Sequence, residues 1–254
     1  MAIKLAIAGC CGRMGRAIAC RALQDGTFSI AAALETAGHP ALRADYGTHL
    51  GQPGASTLQI TDDARGAISQ GDVLIEFTTP EATVAHVALA QELRKPMVIG
   101  TTGLSEAQQA ALRKIANTIP IIFSPNMSIG VNVLFELAQL AAQRLGPAYD
   151  VEVVESHHHG KKDAPSGTAK RLAELLAAAR PEVGKAVPIH SVRAGDIVGD
   201  HTVILAGPSE RLELTHLAQA REAFAKGALR AARFIVTQPP GLYEMSHVLK
   251  SGVR

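Results

Sequence analysis

Short apolar runs alternate with amphipathic stretches through the first half of the chain. The apolar runs have the length and bounding residues of buried strands, and they lie at 3–8, 28–34, 73–77, 97–99 and 120–123. Helical periodicity occurs between them, at about 12–24, 81–94 and 105–117. The stretch 36–57, rich in glycine, proline and polar residues, predicts a long loop with at most a short helix. Strands that alternate with helices predict the α/β class, with a Rossmann-like doubly wound parallel sheet.

The pattern changes after Asn126. Helical periodicity at about 128–145 and 167–179 flanks an alternating strand at 149–155. Three strand-like runs then follow one another, near 188–194, 201–206 and 211–217. Grouped strands predict a second, α+β domain built on a mixed sheet. The pattern of 221–254 is helical again, and we assign it to the first domain, so the predicted domains are 1–127 plus 221–254 and 128–220.

Composition narrows the class of protein. Hydrophobic residues make up 47% of the 254 positions, which favours packed cores over disorder. A net charge of +2 and 4% aromatic residues argue against nucleic-acid or membrane-surface binding. No stretch approaches the roughly 18 apolar residues of a membrane span. Cys10, Cys11 and Cys20 form neither a disulfide framework nor a CxxC pair, so we expect a reducing, cytoplasmic location.

The first strand ends in a glycine-rich turn of the form G-x-x-G-x-x-G. Gly9 allows a sharp turn, Gly12 lets a pyrophosphate approach the backbone, and Gly15 lets the next helix pack closely on the sheet. The helix N-terminus offers N–H groups and partial positive charge to phosphates. We therefore predict that a dinucleotide binds at Gly9, Cys10, Cys11, Gly12, Arg13, Met14 and Gly15.

Glu35 ends the second strand, twenty positions after Gly15. An acidic residue at this point can accept both ribose hydroxyls of an adenosine. It also repels a 2′-phosphate, and the next formal positive charge along the chain is Arg43. Glu35 and its surroundings in the sequence therefore favour NADH over NADPH, although the side chain of Arg13, Arg16 or Arg43 could still reach a 2′-phosphate.

Later strand ends belong to the same crevice, because ligands in open α/β sheets bind beyond the carboxyl ends of the strands. Two loops there have small residues and backbone amides that could hold the nicotinamide ribose and carboxamide. Their residues are Gly100, Thr101, Thr102, Ser124, Pro125, Asn126 and Met127. Thr78 and Thr79 end another strand at this edge, where an ordinary βα turn explains them equally well.

The segment 151–169 is the most informative for chemistry. A strand ends in three histidines, a Gly-Lys-Lys loop follows, and a helix is predicted to begin near Ser166. Ser166, Gly167 and Thr168 place N–H groups and hydroxyls at a helix N-terminus, which suits a carboxylate. The loop lysines would supply countercharge, and a histidine can donate a proton near neutral pH. The segment predicts a site for an anionic substrate.

Three consecutive histidines also suggest a metal site. On an extended chain neighbouring side chains point to opposite sides, so only His157 and His159 could share a ligand face. Neither an H-x-E nor an HExxH partner accompanies them. We therefore expect no metal. A solvated polar loop without a role is the other alternative.

Seven motifs spread over the chain carry a family resemblance. They are AGxxGRMG at 8–15, FTxPE at 77–81, VIGTTG at 98–103, NMSIGVN at 126–132, ExHHxxKxDAPSGTA at 155–169, RAGDIVGxH at 193–201 and ELTH at 213–216. With these motifs the whole chain resembles the 4-hydroxy-tetrahydrodipicolinate reductase (dihydrodipicolinate reductase) family of bacterial diaminopimelate and lysine biosynthesis.

The resemblance implies roles for particular residues. His157 matches the proton donor or acceptor, and Lys161 matches a proton donor that also senses the substrate. His158 matches a contact to one substrate carboxylate, and Gly167 and Thr168 match the site of the second. The implied reaction is NAD(P)H-dependent reduction of a cyclic imine dicarboxylate to tetrahydrodipicolinate, after the two domains close. Water loss from the hydroxylated precursor on the enzyme is left open.

The resemblance also implies a homotetramer assembled through the sheets of the second domain. Two positions depart from many relatives, which carry arginine directly after the acidic residue and again before the proline of the FTxPE motif. Thr36 and Thr79 stand there in this chain, and both losses remove positive charge near the cofactor. The choice between NADH and NADPH is therefore open.

Rival functions come from other classes of protein. Another Rossmann dehydrogenase that acts on a small dicarboxylate, or a non-catalytic dinucleotide-sensing protein, would share the glycine turn. A methyltransferase would bind S-adenosylmethionine in place of NADH. A short-chain dehydrogenase needs Tyr-x-x-x-Lys, which Tyr46, Tyr149 and Tyr243 all lack.

Overall fold

The computed structural model describes residues 1–252, whose backbone forms two compact units. One unit is Met1–Met127 together with the C-terminal segment from Phe224, and the other is Ser128–Ala223. Among the described residues, no helix is both long enough and apolar enough to cross a membrane.

A seven-stranded parallel sheet forms the first unit, in the order β11-β6-β5-β4-β1-β2-β3. The strands are β1 (Ile3–Ala8), β2 (Phe28–Leu34), β3 (Ile60–Thr61), β4 (Val73–Glu76), β5 (Met97–Ile99), β6 (Pro120–Phe123) and β11 (Gly241–Tyr243). The strand order reverses at β1, which has β2 on one side and β4 on the other. Such a reversal opens a crevice at the carboxyl ends of the strands, where α/β sheets bind ligands.

Helices cover both faces of this sheet. They are α1 (Arg13–Leu23), α2 (Tyr46–His49), α3 (Ala64–Gln70), α4 (Pro80–Glu92), α5 (Glu106–Ile115), α8 (Glu222–Ile235) and α9 (Met245–Lys250). Successive residues of β1 point to opposite faces, so Ile7 packs in a core with α1, α8 and α9, whereas Ala6 packs in a core with α3, α4 and α5. The predicted Rossmann-like, doubly wound arrangement is confirmed.

The second unit is a four-stranded mixed sheet in the order β10-β9-β7-β8. Its elements are α6 (Ile129–Leu145), β7 (Asp150–His157), α7 (Gly167–Ala179), β8 (Ile189–Arg193), β9 (Asp200–Ala206) and β10 (Arg211–Leu217). Strand β7 runs parallel to β8 and antiparallel to β9, which confirms the predicted mixed sheet. Val153 and Val203 on one face pack against α6 and α7, and the alternation of β7 brings Glu155 and His157 to that same face.

Several short elements differ from the sequence prediction. The prediction that 221–254 is helical is wrong at β11, which pairs in parallel with β6 from Gly241 to Tyr243. Strand β3 and helix α3 were not predicted. Strand β3 has only two residues and β11 begins with Gly241, so neither forms an apolar run that stands out in the sequence, and the neighbouring strand supplies their hydrogen bonds.

One prediction concerns the support of the glycine turn. The buried Tyr46 hydroxyl donates to the carbonyl oxygen of Cys10 at 3.0 Å. Tyr46→Phe leaves that buried carbonyl without this donor, so we expect the free energy of unfolding to fall by about 1–3 kcal/mol. Tyr243→Phe is the matched control, because its hydroxyl donates to the Pro239 carbonyl at an exposed site. Urea unfolding measures both, and equal losses would contradict the prediction.

Candidate active site

The glycine turn after β1 is packed too closely for side chains. Gly9 has φ +71°, and a Cβ built there would lie 2.5 Å from the Phe77 carbonyl oxygen. A Cβ at Gly15 would lie 2.2 Å from the Gly9 carbonyl oxygen, so the first turn of α1 rests directly on the loop. Helix α1 begins at Arg13, and its N-terminus follows this turn. Within this turn Gly12 is exposed and Cys11 is half-buried, so a ligand can approach the backbone at those two residues.

Glu35 is held at the rim of this turn. One carboxylate oxygen accepts from the Cys11 backbone N–H and the other from the Thr36 backbone N–H, each at 3.0 Å. Two backbone donors fix the orientation of the carboxylate, and each oxygen retains a lone pair for a ligand hydroxyl. Glu35 is therefore placed as an acceptor beside the glycine turn.

A cavity of about 560 Å³ lies at this edge of the sheet. It brings together four of the predicted cofactor contacts, Gly9, Cys11, Gly12 and Glu35. Its lining also includes Thr36, His39, Asp62, Thr78, Thr79 and His86. Asp62 was missed because β3, which it follows, is only two residues long. Among residues 1–252, the lining contains two carboxylates and no lysine or arginine.

Other predicted cofactor residues lie outside the lining of this cavity. Cys10 is fully buried, Arg13 is exposed, and Met14 packs partly against the core. In the loop after β5, Thr101 is buried and its hydroxyl accepts from the Thr78 backbone N–H at 3.2 Å, whereas Thr102 is exposed. The Thr101 hydroxyl thereby connects the loop after β5 to the loop after β4.

The loop after β6 is also internally bonded. The Ser124 hydroxyl donates to the Asn126 carbonyl at 2.8 Å, and Pro125 between them is partly buried. The Met127 side chain is buried in the core with α8. Contacts from this loop to a dinucleotide, and those from Gly100, Thr101 and Thr102, stay predictions.

A buried carboxylate that the sequence analysis missed sits beneath the cavity. Glu76, at the end of β4, accepts from the Thr78 hydroxyl and lies 2.7 Å from His86 Nδ1. The pair connects the end of β4 to α4, whose N-terminal cap is Thr79. A single charged residue at the end of an otherwise apolar strand is the signal that could have revealed it.

The second unit has a denser polar cluster, centred on Glu155. This fully buried carboxylate accepts from both terminal nitrogens of Arg193, at 2.9 and 2.8 Å, and from the Ser166 backbone N–H at 3.2 Å. His157 Nδ1 lies 2.5 Å from Glu155 Oε2, the oxygen that also accepts from one of the Arg193 nitrogens. Burial alone would raise the pKa of Glu155, but hydrogen bonds from Arg193, Ser191 and His157 lower it to about 2. Glu155 is therefore ionised at neutral pH.

The carboxylate sets the tautomer of His157. An ionised carboxylate only accepts, so Nδ1 of His157 has the proton and Nε2 is the nitrogen left for a ligand. Burial lowers the pKa of His157, the Glu155 partnership opposes that shift, and the nearby charges of Lys161 and Arg193 add to it. His157 is thus mainly neutral at pH 7 in the free protein.

His201 packs edge-on against His157, with ring centroids 5.2 Å apart. Burial lowers the pKa of His201 to about 3, so it stays neutral. Its Nε2 lies 3.2 Å from the Ser166 hydroxyl, which also caps α7 by accepting from Ala169 N–H. Glu155 and Ser166 thereby connect the histidines to the start of α7.

The predicted anion site lies at the start of α7. Gly167, the first helical residue, is exposed with open space where a Cβ would stand, and Thr168 is buried. Lys161 lies in the preceding loop and forms an ion pair with Asp163 at 2.8 Å. His158 is half-buried in that loop, and its carbonyl accepts from Lys161 N–H at 3.0 Å.

His159 differs from its neighbours. It is exposed, and its Nδ1 lies 2.9 Å from the Gly195 carbonyl oxygen. The roles of Glu155, Arg193 and His201 were not assigned from sequence. The spacing of Glu155 and His157, two apart on one strand, is the signal that could have paired them.

Family profiles match both halves of the chain. The profile described as "Dihydrodipicolinate reductase, N-terminus" matches residues 3–127, and "Dihydrodipicolinate reductase, C-terminus" matches residues 130–249. The 4-hydroxy-tetrahydrodipicolinate reductase of Ralstonia nicotianae is 44% identical, over 97% of this chain and 99% of its own. That of Syntrophus aciditrophicus is 43% identical, over 97% and 98%.

Two solved structures share the fold of this chain. A dipicolinate-bound dihydrodipicolinate reductase from Paenisporosarcina sp. TG-14 superposes with a TM-score of 0.77 at 25% identity, over 96% of this chain and 98% of its own. An amine dehydrogenase from Mycobacterium smegmatis has a TM-score of 0.63 at 14% identity, over 95% and 94%, and shares the fold alone.

The fold, the glycine turn and these relatives define an oxidoreductase that uses a nicotinamide dinucleotide. Within that class, the chain belongs to the dihydrodipicolinate reductase family.

The Glu155 cluster generates a stability prediction. Glu155→Gln leaves the Arg193 charge without its buried counter-ion, so we expect the free energy of unfolding to fall by about 3–5 kcal/mol at pH 7. Glu152→Gln on the same strand is the matched control. It removes a partly exposed pair with His190, for which about 0–1 kcal/mol is expected.

The contribution of Glu155 to the free energy of unfolding decreases as the pH falls. The folded-state pKa of Glu155 lies below its ordinary value of 4.5, so its contribution is complete above pH 4.5 and is lost as pH falls towards 2. The difference between the parent and Glu155→Gln in urea unfolding should therefore shrink across that window. A difference that stayed constant down to pH 2 would contradict this account.

Proposed function

We propose that this chain reduces 4-hydroxy-tetrahydrodipicolinate, through its dehydrated form dihydrodipicolinate, to tetrahydrodipicolinate. The observation that carries the proposal is the buried Glu155–His157 pair linked to the start of α7, a proton site beside an anion site. It is supported by relatives of that name at 43–44% identity over 97% of the chain.

The first unit fits a dinucleotide. The tight turn at Gly9 leads into α1 through the exposed Gly12, and the backbone-held Glu35 carboxylate matches a ribose diol. The proposed contacts are residues 9–15, Glu35, 100–102 and 124–127. When bound, the reduced nicotinamide supplies a hydride to the conjugated C=C bond of the substrate.

The second unit supplies the substrate contacts. The first-turn N–H groups of α7 at Gly167 and Thr168, with the Ser166 cap, receive one carboxylate. His158 and Lys161 meet the other. A bound dipicolinate in the Paenisporosarcina relative supports a ligand with two carboxylates. Hydrogen bonds to charged groups are worth about 1.5–3 kcal/mol each, so a few of them suffice for specific binding.

His157 handles the proton, with Lys161 as the second donor. Hydride addition moves electron density to the ring nitrogen, which then takes a proton. The two substrate carboxylates favour the imidazolium form of His157, so substrate binding raises its pKa from the lowered value of the free protein. Glu155 holds the ring and stabilises that positive charge.

A pH profile tests the role of His157. Because a protonated acid is required, kcat/KM should fall as pH rises through the free-protein pKa of His157, which lies below 6.5. The same fall in kcat should occur at higher pH. His157→Gln should lose about 10²–10⁴-fold in kcat together with this pH limb.

His159→Gln is the matched control, since His159 is exposed and bonded to a backbone carbonyl. It should keep the parental profile. Parental turnover by His157→Gln would remove the proposed donor.

NADH is the preferred cofactor in this proposal. The cavity lining holds Glu35 and Asp62 but, within residues 1–252, no lysine or arginine to meet a 2′-phosphate. With enzymatically made substrate, we expect faster oxidation of NADH than of NADPH. Thr36→Arg should raise kcat/KM for NADPH by roughly 10–100-fold, the equivalent of one charge-assisted hydrogen bond.

Thr48→Arg is the matched control, because it adds the same charge at an exposed site outside the cavity lining. Loss of NADH absorbance without substrate dependence would contradict the proposed reaction. A parental preference for NADPH would contradict only the cofactor assignment.

The proposed assembly is a homotetramer through the sheets of the second unit. The face of that sheet turned away from α6 and α7 exposes Val192 and Leu217, which supports an interface there. Sedimentation equilibrium measures the number of subunits. The cytoplasmic location stays a prediction.

A further inference from the structure

Two neighbouring thiols lie in the glycine turn. Cys10 Sγ and Cys11 Sγ are 3.8 Å apart, and both cysteines are free. A Glu35 carboxylate oxygen completes the cluster, in which the three ligand atoms all lie within 4.8 Å of one another. The proposed dinucleotide contacts need the backbone of this turn and the Glu35 carboxylate, so the thiols have no part in the reaction.

The spacing favours a shared cation over a disulfide. Consecutive Cα atoms are about 3.8 Å apart, which is shorter than the roughly 4.4–6.8 Å that disulfides span. Two thiolates on a tetrahedral zinc ion with bonds of about 2.3 Å are separated by about 3.8 Å. The observed separation of the sulfur atoms equals that value.

We propose that Cys10, Cys11 and Glu35 form an inhibitory site for a thiophilic divalent cation such as Zn²⁺. On binding, two S–H bonds are exchanged for two Zn–S bonds, a carboxylate oxygen and a solvent molecule complete four ligands, and two protons leave to solvent. No electrons are transferred.

The cavity provides the route. Cys11 and Glu35 line it, and Cys10 lies fully buried directly beside Cys11. Thiolates are soft ligands, so a site with two of them selects Zn²⁺ over Mg²⁺ or Ca²⁺.

Cation and dinucleotide exclude each other at Glu35. This part of the inference rests on the proposed function, in which Glu35 accepts the ribose hydroxyls. A carboxylate bound to Zn²⁺ has turned from those hydroxyls, and a cation between Cys11 and Glu35 occupies the ribose position. The protein would thus lose cofactor affinity as free Zn²⁺ rises.

The test uses the untagged full-length chain, freed of metal by chelation. Zn²⁺ is titrated against a chromophoric indicator, and Co²⁺ is added separately to reveal thiolate-to-cobalt charge-transfer absorption. We expect one cation per chain with the cobalt band present. Substituting a residue that only hydrogen-bonds to a metal ligand weakens metal binding by roughly 10–100-fold, and Cys11→Ser, which replaces a ligand, should weaken Zn²⁺ binding by more than that.

Two further variants complete the test, one as a control and one that removes the second sulfur ligand. Cys20→Ser is the matched control, because Cys20 is a half-buried free cysteine on α1 outside the cluster, and it should bind Zn²⁺ as the parent does. Cys10→Ala removes the second sulfur without placing a hydroxyl in the core. Far-UV circular dichroism verifies that each variant is folded.

NADH binding is followed by its fluorescence with and without Zn²⁺. Once the Zn²⁺ concentration exceeds the Kd for Zn²⁺, we expect the apparent Kd for NADH to rise in proportion to that concentration in the parent and in Cys20→Ser. In Cys11→Ser, added Zn²⁺ should leave the apparent Kd for NADH unchanged. Equal Zn²⁺ affinity in parent, Cys11→Ser and Cys10→Ala would overturn the site. Simultaneous binding of Zn²⁺ and NADH would overturn the inhibition. Failure of NADH to bind the metal-free parent would instead count against the proposed function.

Discussion

A buried carboxylate must be compensated, and the second unit is organised around that requirement. Glu155 has no contact with solvent, so its charge needs the paired bonds of Arg193 and the N–H of Ser166. Those partners come from β8 and from the start of α7, which are far apart in sequence. Meeting one electrostatic need therefore aligns the end of β8, the start of α7 and the ring of His157.

The first unit depends on close approach of backbone rather than on charge. The Gly9 turn touches the end of β4 at Phe77, and Gly15 brings α1 onto that turn. Only residues without side chains fit at these two positions, and Gly12, the N-cap of α1, is exposed between them. In this chain, two adjacent thiols occupy the turn, which gives it a chemistry that phosphate binding does not require.

The fold itself does not decide the reaction. An amine dehydrogenase shares it with a TM-score of 0.63 at 14% identity, so the arrangement of sheet and helices is common to different enzymes. The reaction depends on the side chains that the fold positions, and not on the fold alone. In this chain those side chains are the Glu155–His157 pair, and they lie beside the start of α7 at Gly167.

The class of fold, the glycine turn, the acidic residue after β2 and the motif at 155–169 could all be predicted from the amino-acid sequence, because periodicity and local spacing are properties of neighbouring residues. The sequence did not determine the short strands β3 and β11, which exist only through pairing with another strand. Nor did it join Arg193 to Glu155, since 38 residues separate them along the chain. Tertiary structure decided those contacts, because burial and countercharge depend on which distant segments the folded chain brings together.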